Sequence, residues 1–261
     1  MRPEDVPQPD ASFEYYAMKT RWARHFVADT EFGCTSGNNR PAEEDTTYWR
    51  LAHFLFPFYA MIPGSFSSRG LGFIAVVPID DENCLRFHMN CQESSAARRR
   101  GGPGPAVVDG MPTGYHSDPS HNTSDWLGRF RLAGNTRNDY LIDREVQRAK
   151  LSEPSGIGWS GIPGRGQDGG VTESMGVIYQ RDHEHLGVTD TGIIRMRRLL
   201  INQARELRDK GTIPPGVDKP ELYRVRSGNA ILPNGVNGIE ATKDLQWKSL
   251  TEEPLRLEAG T

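Results

Sequence analysis

Ile193, Met196, Leu200, Ala204 and Leu207 recur at three- and four-residue intervals, and this stripe predicts one long amphipathic helix late in the chain. Arg195, Arg198, Arg205 and Arg208 take its other faces. Gly211 and then Pro214-Pro215 end it, since glycine accepts a left-handed cap and proline cannot extend a helix. A helix with one apolar stripe needs an apolar surface beneath it. The segments before it supply a sheet. Arg24–Cys34 alternates, Thr46–Ile62 is rich in β-branched and aromatic residues, and Leu71–Pro78 is strongly apolar. Asp80-Asp81-Glu82-Asn83 turns the chain, and Cys84–Cys91 returns as a hairpin partner. Gly37–Pro41 reads as the turn between the first two strands. Leu85, Phe87 and Met89 share one face of the last strand, while Arg86, His88 and Asn90 share the other. The expectation is a half-buried antiparallel sheet with one polar-lined face and a helix laid across it, an α+β fold.

The organisation follows from where these patterns start and stop. Residues 1–23 are polar and form an N-terminal arm, residues 24–211 carry the sheet and helix, and residues 212–261 form a largely polar, irregular extension. Within the main domain, periodicity disappears over about 92–138 under Gly, Pro, Ser and Arg, which marks a loop insertion. Asn138–Lys150 reads as a short helix or an ordered loop, and Gly156–Gly170 as glycine-rich and irregular. The extension contains two short apolar islands, Tyr223–Val225 and Ile231-Leu232.

Composition removes several function classes. A net charge of -3 over 261 residues provides no basic field for nucleic acid. The Arg98-Arg99-Arg100 run sits against Gly and Pro and reads as a solvated loop. Phe54–Ile62, the longest apolar run, contains Pro57 and is too short to span a bilayer, so no membrane role is expected. The start has no basic segment followed by an apolar one, and Cys34, Cys84 and Cys91 have no paired spacing. Reduced thiols and a cytoplasmic location are the expectation.

Beyond these physical readings, several segments carry a family resemblance. Asn135–Arg148 (NTRNDYLIDREVQR) resembles the signature of phthalate dioxygenase-type Rieske oxygenase large subunits. So do Gln167-Asp168, Glu173–Gly176, Glu184-His185-Leu186-Gly187, Asp190 and the helix from Ile193-Ile194 to Leu200. Tyr48–Pro63 is similar to the same family, and Pro215–Ser227 resembles the extension of its phthalate dioxygenase and dehydrodivanillate O-demethylase branch. The segments occur in order from about residue 12 to about residue 233. The resemblance implies a helix-grip (START-like) fold, in which an antiparallel sheet curls around a long C-terminal helix to form an aromatic-sized pocket.

It also implies chemistry. Family members hold one mononuclear Fe²⁺ with two histidines and a carboxylate, and receive electrons from a Rieske [2Fe–2S] cluster held by two Cys and two His. The carboxylate position matches Asp190, although an Asp before a helix is ordinarily an N-cap. The two histidines are expected from a His-x4-His element upstream of the first matching segment, and the Cys-x-His and Cys-x-x-His pairs of the cluster are absent from this sequence. The iron site is thus expected to be incomplete here and the chain inactive alone. His116 and His121 have the right spacing but lie in a loop interrupted by Pro119, which reads as coincidence. His185 is a candidate to orient Asp190; His183 reads as a surface or capping residue. His88, Asn90, Trp49 and Phe54 are candidate substrate contacts, and Arg86 could pair with a substrate carboxylate, although strand aromatics usually form core and arginines surface.

Three functions follow. The chain is the catalytic portion of an oxygenase that hydroxylates or O-demethylates an aromatic, carboxylated substrate, working with a separate Rieske-bearing polypeptide and a reductase. Alternatively it is an iron-free helix-grip module that binds aromatic ligands, or a pseudoenzyme subunit that joins intact homologues, since the resemblance implies trimers.

Overall fold

The computed structural model describes residues 13–64, 71–91, 107–108, 111–112, 134–150, 160–162 and 166–246. The chain divides into two compact units, Met1–Glu93 with His185–Thr261, and Ser94–Glu184.

In the first unit a short helix α1 (Phe13–Lys19) precedes strands β1 (Arg24–Thr30), β2 (Gly33–Pro41), β3 (Thr46–Leu55), β4 (Tyr59–Ile62), β5 (Leu71–Pro78) and β6 (Cys84–Cys91). Each strand pairs antiparallel with the next, in the order β1-β2-β3-β4-β5-β6. Gly37–Pro41, expected as a turn, lies inside β2, and the chain reverses at Glu43–Asp45 instead. Packing overrides the turn propensity: a Cβ on Gly37 would lie 2.9 Å from Leu51 Cδ2, so glycine permits a close approach across the sheet. Asp45 takes the positive φ of that reversal.

The second unit contains a two-stranded ribbon, β7 (Val107–Val108) and β8 (Met111–Pro112), then helices α2 (Arg144–Ala149) and α3 (Gly166–Glu173). Asp143 caps α2 by accepting from the Glu145 and Val146 N–H groups. The irregular stretch expected up to Gly170 gives way to α3 at Gly166, a correction with a packing cause. A Cβ on Gly170 would lie 3.4 Å from Ile162 and 3.5 Å from the Tyr140 ring, and Tyr140 Oη donates to Glu173 at 3.2 Å.

The predicted long helix is α4 (Thr191–Lys210), and Gly211 caps it in the left-handed conformation. The extension that follows is more ordered than its polar composition suggests. It contributes a seventh strand, β9 (Gly228–Pro233), which pairs with β3, and the short helices α5 (Gly238–Ala241) and α6 (Lys243–Gln246). Ile239 and Leu245 join Trp49, Leu51 and Ala230 in one core cluster, while Leu222 and Val225 join Phe32, Leu55 and Met61 in another. Strand alternation places Trp49, Leu51, His53 and Leu55 on the face this extension covers. The other face carries Ser36, Phe54 and Asp29 and meets α4. The expected α+β architecture, an antiparallel sheet with a long helix and a C-terminal extension, is what the structure has. Among the described residues no helix is long and apolar enough to cross a membrane.

Candidate functional site

The start of α4 is held to the sheet at two points. Gly192 lies against β2, where a Cβ would come within 2.7 Å of Ser36 Oγ. One turn later, Arg195 forms a two-point ion pair with Asp29 on β1, Nε donating to Oδ1 at 2.6 Å and Nη2 donating to Oδ2. The guanidinium holds the Asp29 carboxyl below its ordinary range. Neither contact was visible in the sequence, because 166 residues separate the pair.

Asp190 stands immediately before this anchored turn. It occupies the cap position of α4, yet its side chain bonds to none of the helix N–H groups. Instead Oδ2 accepts from the Gly187 N–H at 2.8 Å, which closes the short turn Val188–Asp190. The ordinary capping explanation therefore does not account for both carboxylate oxygens.

The sheet register aligns the other candidates. Asp29 pairs with Cys34, Cys34 with Phe54, Phe54 with Ala60, Ala60 with Ile74, and Ile74 with His88. One row thus crosses six strands on the face that meets α4, with the Arg195 ion pair at one end and His88 at the other. Adjacent strands lie about 4.8 Å apart, so Phe54 and His88 are separated by about 14 Å along the row. Phe54 is the nearer to α4 and packs edge-on against Phe56, with centroids 5.6 Å apart. Cys34 lies between them and Asp29, and burial pushes its thiol up to about 11, which leaves it a packing group rather than a nucleophile.

The remaining candidates are distributed differently. Trp49 has odd parity on β3 and sits on the opposite face, 2% exposed in the Leu51 cluster; it is core. Arg86 is exposed beside His88's strand position. Asn90 pairs its backbone with Gly72, and its side chain lies outside the described part of the structure. His185 is exposed and no hydrogen bond joins it to Asp190, while His183 belongs to the second unit. His116 and His121 lie outside the described residues, as do Arg98-Arg99-Arg100.

A buried histidine that the sequence reading passed over is His53. It is 2% exposed, with Nδ1 2.9 Å from Thr35 Oγ1 and Nε2 2.9 Å from the Arg226 carbonyl. The carbonyl can only accept, so Nε2 carries the proton and Nδ1 accepts from Thr35. Burial depresses its pKa to about 4, and the neutral ring clasps the extension to the sheet. Alternation with the apolar residues Leu51 and Leu55 was the only sequence signal for it.

Among the described residues, no group of three or more His, Cys, Asp or Glu is arranged to hold a metal ion. A facial iron site needs two histidines and a carboxylate on one centre. The described residues do not fit it.

A seven-stranded antiparallel sheet with a long helix anchored across one face and a carboxylate at the helix start defines an α+β domain. The chain belongs to the LigXa C-terminal domain-like family, whose pattern matches residues 119–256. It is also 37% identical over 241 residues to the oxygenase subunit of 3-chlorobenzoate-3,4-dioxygenase from Comamonas testosteroni, a match covering 90% of this chain and 52% of that subunit. The chain therefore spans about half the length of that relative.

Proposed function

We propose that this chain is the pocket-bearing catalytic portion of a Rieske-type non-haem iron oxygenase, in the phthalate dioxygenase and dehydrodivanillate O-demethylase branch. The observation that carries the reading is the 37% identity to an aromatic dioxygenase subunit across 90% of the chain. The site supports it. Asp190 is fixed at the start of an anchored helix, beside a row that presents Phe54 to a flat ring. Its substrate is an aromatic, carboxylated compound, which it hydroxylates or O-demethylates in the cytoplasm.

One carboxylate cannot hold ferrous iron in the three-ligand arrangement. The two histidines and the electron-delivering cluster come from a separate or additional polypeptide segment, with a reductase upstream, in a trimeric assembly. The contribution of this chain is to bind and orient the ring against Phe54, with His88 at the far end of the same row. His185 would steady the Asp190 carboxylate once the site is complete.

The test is co-expression with a polypeptide carrying the Rieske motifs and the His-x4-His element. Iron content and oxygen-dependent turnover of 3-chlorobenzoate are measured for each partner and for the pair. Iron and turnover in the pair, both lost with Asp190→Ala, are expected. A pair that takes up no iron overturns the reading. A second reading, an iron-free aromatic-binding module or pseudoenzyme subunit, draws on the bond between Asp190 and the Gly187 N–H, which gives the carboxylate a purely structural use. Ring binding without iron, and unchanged by Asp190→Ala, would favour it.

A further inference from the structure

A second concave site lies on the opposite face of the sheet from Phe54 and His88. It is a cavity of about 570 Å³ at the open end of β1, β2 and β3, closed on one side by the turn that leads into α5. This size falls in the range of small-molecule sites, roughly 300–1,000 Å³. The sequence builds it by strand alternation. Arg24 pairs with Asn39, Asn39 with Trp49, and Trp49 with Ala230, so these residues form one row across four strands on one face. Phe26 lies two residues further along β1 on the same face, its ring 4.9 Å from that of Trp49. Trp22, which precedes β1 with the same parity, also lines the cavity and is 68% exposed.

The charge pattern selects the ligand. Arg24 is exposed, and neither it nor Asn39 has a side-chain hydrogen bond or ion pair among the described residues. Arg40 at the rim is already engaged, donating to the Thr20 carbonyl at 3.0 Å and to Asn38 Oδ1 at 2.8 Å. Glu43, the one acid among the described lining residues, accepts from Tyr16 Oη at 2.8 Å and sits 3.8 Å from Lys19 Nζ, so its charge is answered. What remains, among the described residues, is an uncommitted guanidinium and amide beside an exposed indole and a half-buried phenyl ring. A guanidinium grips a carboxylate with two parallel N–H donors, and a flat ring gains most by stacking on an indole.

The geometry points to a binding site for a small aromatic carboxylate, with the carboxylate on Arg24 and Asn39 and the ring against Trp22 and Phe26. The assignment is independent of the iron reading, because it uses none of the residues invoked there. It makes this face a place where an aromatic acid binds without being transformed.

The experiment is calorimetric titration of the whole chain with benzoate, with cyclohexanecarboxylate and benzyl alcohol as probes lacking the flat ring or the charge. Benzoate should saturate this site with a dissociation constant on the order of 1 mM, as expected for so few ligand atoms. Both other probes should bind at least severalfold more weakly. Arg24→Gln should weaken benzoate about tenfold, the usual effect of losing a charge-assisted pair, and Trp22→Ala severalfold. Both side chains are exposed, so both variants should keep the far-ultraviolet circular dichroism of the parent. Ile201→Ser, on exposed α4 surface away from this cavity, should leave this binding unchanged. Failure of benzoate to saturate overturns the proposal. So does benzoate binding that ignores Arg24→Gln and Trp22→Ala yet is lost with Phe54→Ala.

Discussion

The two faces of one sheet are finished to different degrees. On the face under the C-terminal extension, Trp49, Leu51, Leu55, Met61 and Ala75 are all buried, and His53 among them has both ring nitrogens bonded. On the face under α4, Tyr48 is buried by α1, but Ile62 and Val76 are exposed and α4 buries none of its twenty residues. The apolar stripe that predicted the helix is therefore real but only partly used, with Ile193 and Leu207 each more than a third exposed, as is Ile201 beside it. Even the finished face stops short: Ala75 is buried, while its partner Phe87 on β6 is exposed. A face that is packed and hydrogen-bonded carries stability. A face that leaves apolar groups accessible draws less stability from its own packing.

The sharpest way to break this contrast is a cavity in the finished face. Leu51→Ala removes a side chain with no exposure, and urea unfolding should show a loss of about 3 kcal/mol or more. If the loss were under about 1 kcal/mol, the buried face would not be the source of stability.

The next effect is of similar size and depends on pH. His53 titrates near 4 in the folded chain and near 6.5 when unfolded, so between these values the unfolded state binds more protons. Its contribution is complete above about pH 6.5 and is lost as pH falls through 4, about 3 kcal/mol in all at 1.36 kcal/mol per pKa unit. Urea unfolding at several pH values should show stability falling from pH 6.5 to 4 in the parent, with a flatter profile in His53→Gln. Equal slopes would remove the histidine from the account.

The α4 side should respond less and more locally. Gly192→Ala places a methyl 2.7 Å from Ser36 Oγ, and should cost about 1–2 kcal/mol through overpacking. Ser36→Gly in the same chain should recover most of that loss. Without recovery, the contact would not be what seats the helix start and Asp190. Smallest of all, Ile201→Ser at the exposed edge of that stripe should change stability by no more than about 0.5 kcal/mol. A larger loss would mean that the stripe is already packed in solution.

Much of the architecture was legible because local periodicity is local physics. The helix from Thr191 to Lys210 with its Gly211 cap, the β5–β6 hairpin and the α+β class came from spacing and turn chemistry. The candidate site was half legible. Asp190 stood out by family resemblance, and Phe54 and His88 by their place on strands, which the register then joined into one row. Trp49 does not join that row, since it and Phe54 are five residues apart on one strand and point to opposite faces. Gly37–Pro41 was read as a turn because its composition has turn chemistry, whereas long-range pairing with β3 makes it strand.

The sequence by itself determined the alternation of strand faces, the amphipathic helix, its stop signal and the family to which the ordered motifs belong, because each depends on residues close together in the chain. Tertiary structure alone decided the rest. It brought Asp29 to Arg195, the Arg226 carbonyl to His53, and Ile239 and Leu245 onto Trp49, contacts across more than a hundred and sixty residues that carry no local signature. It also decided that the polar-looking extension completes one face of the sheet while the helix leaves the other partly open. Burial depends on what the chain brings back from far away, and no window of neighbouring residues contains that information.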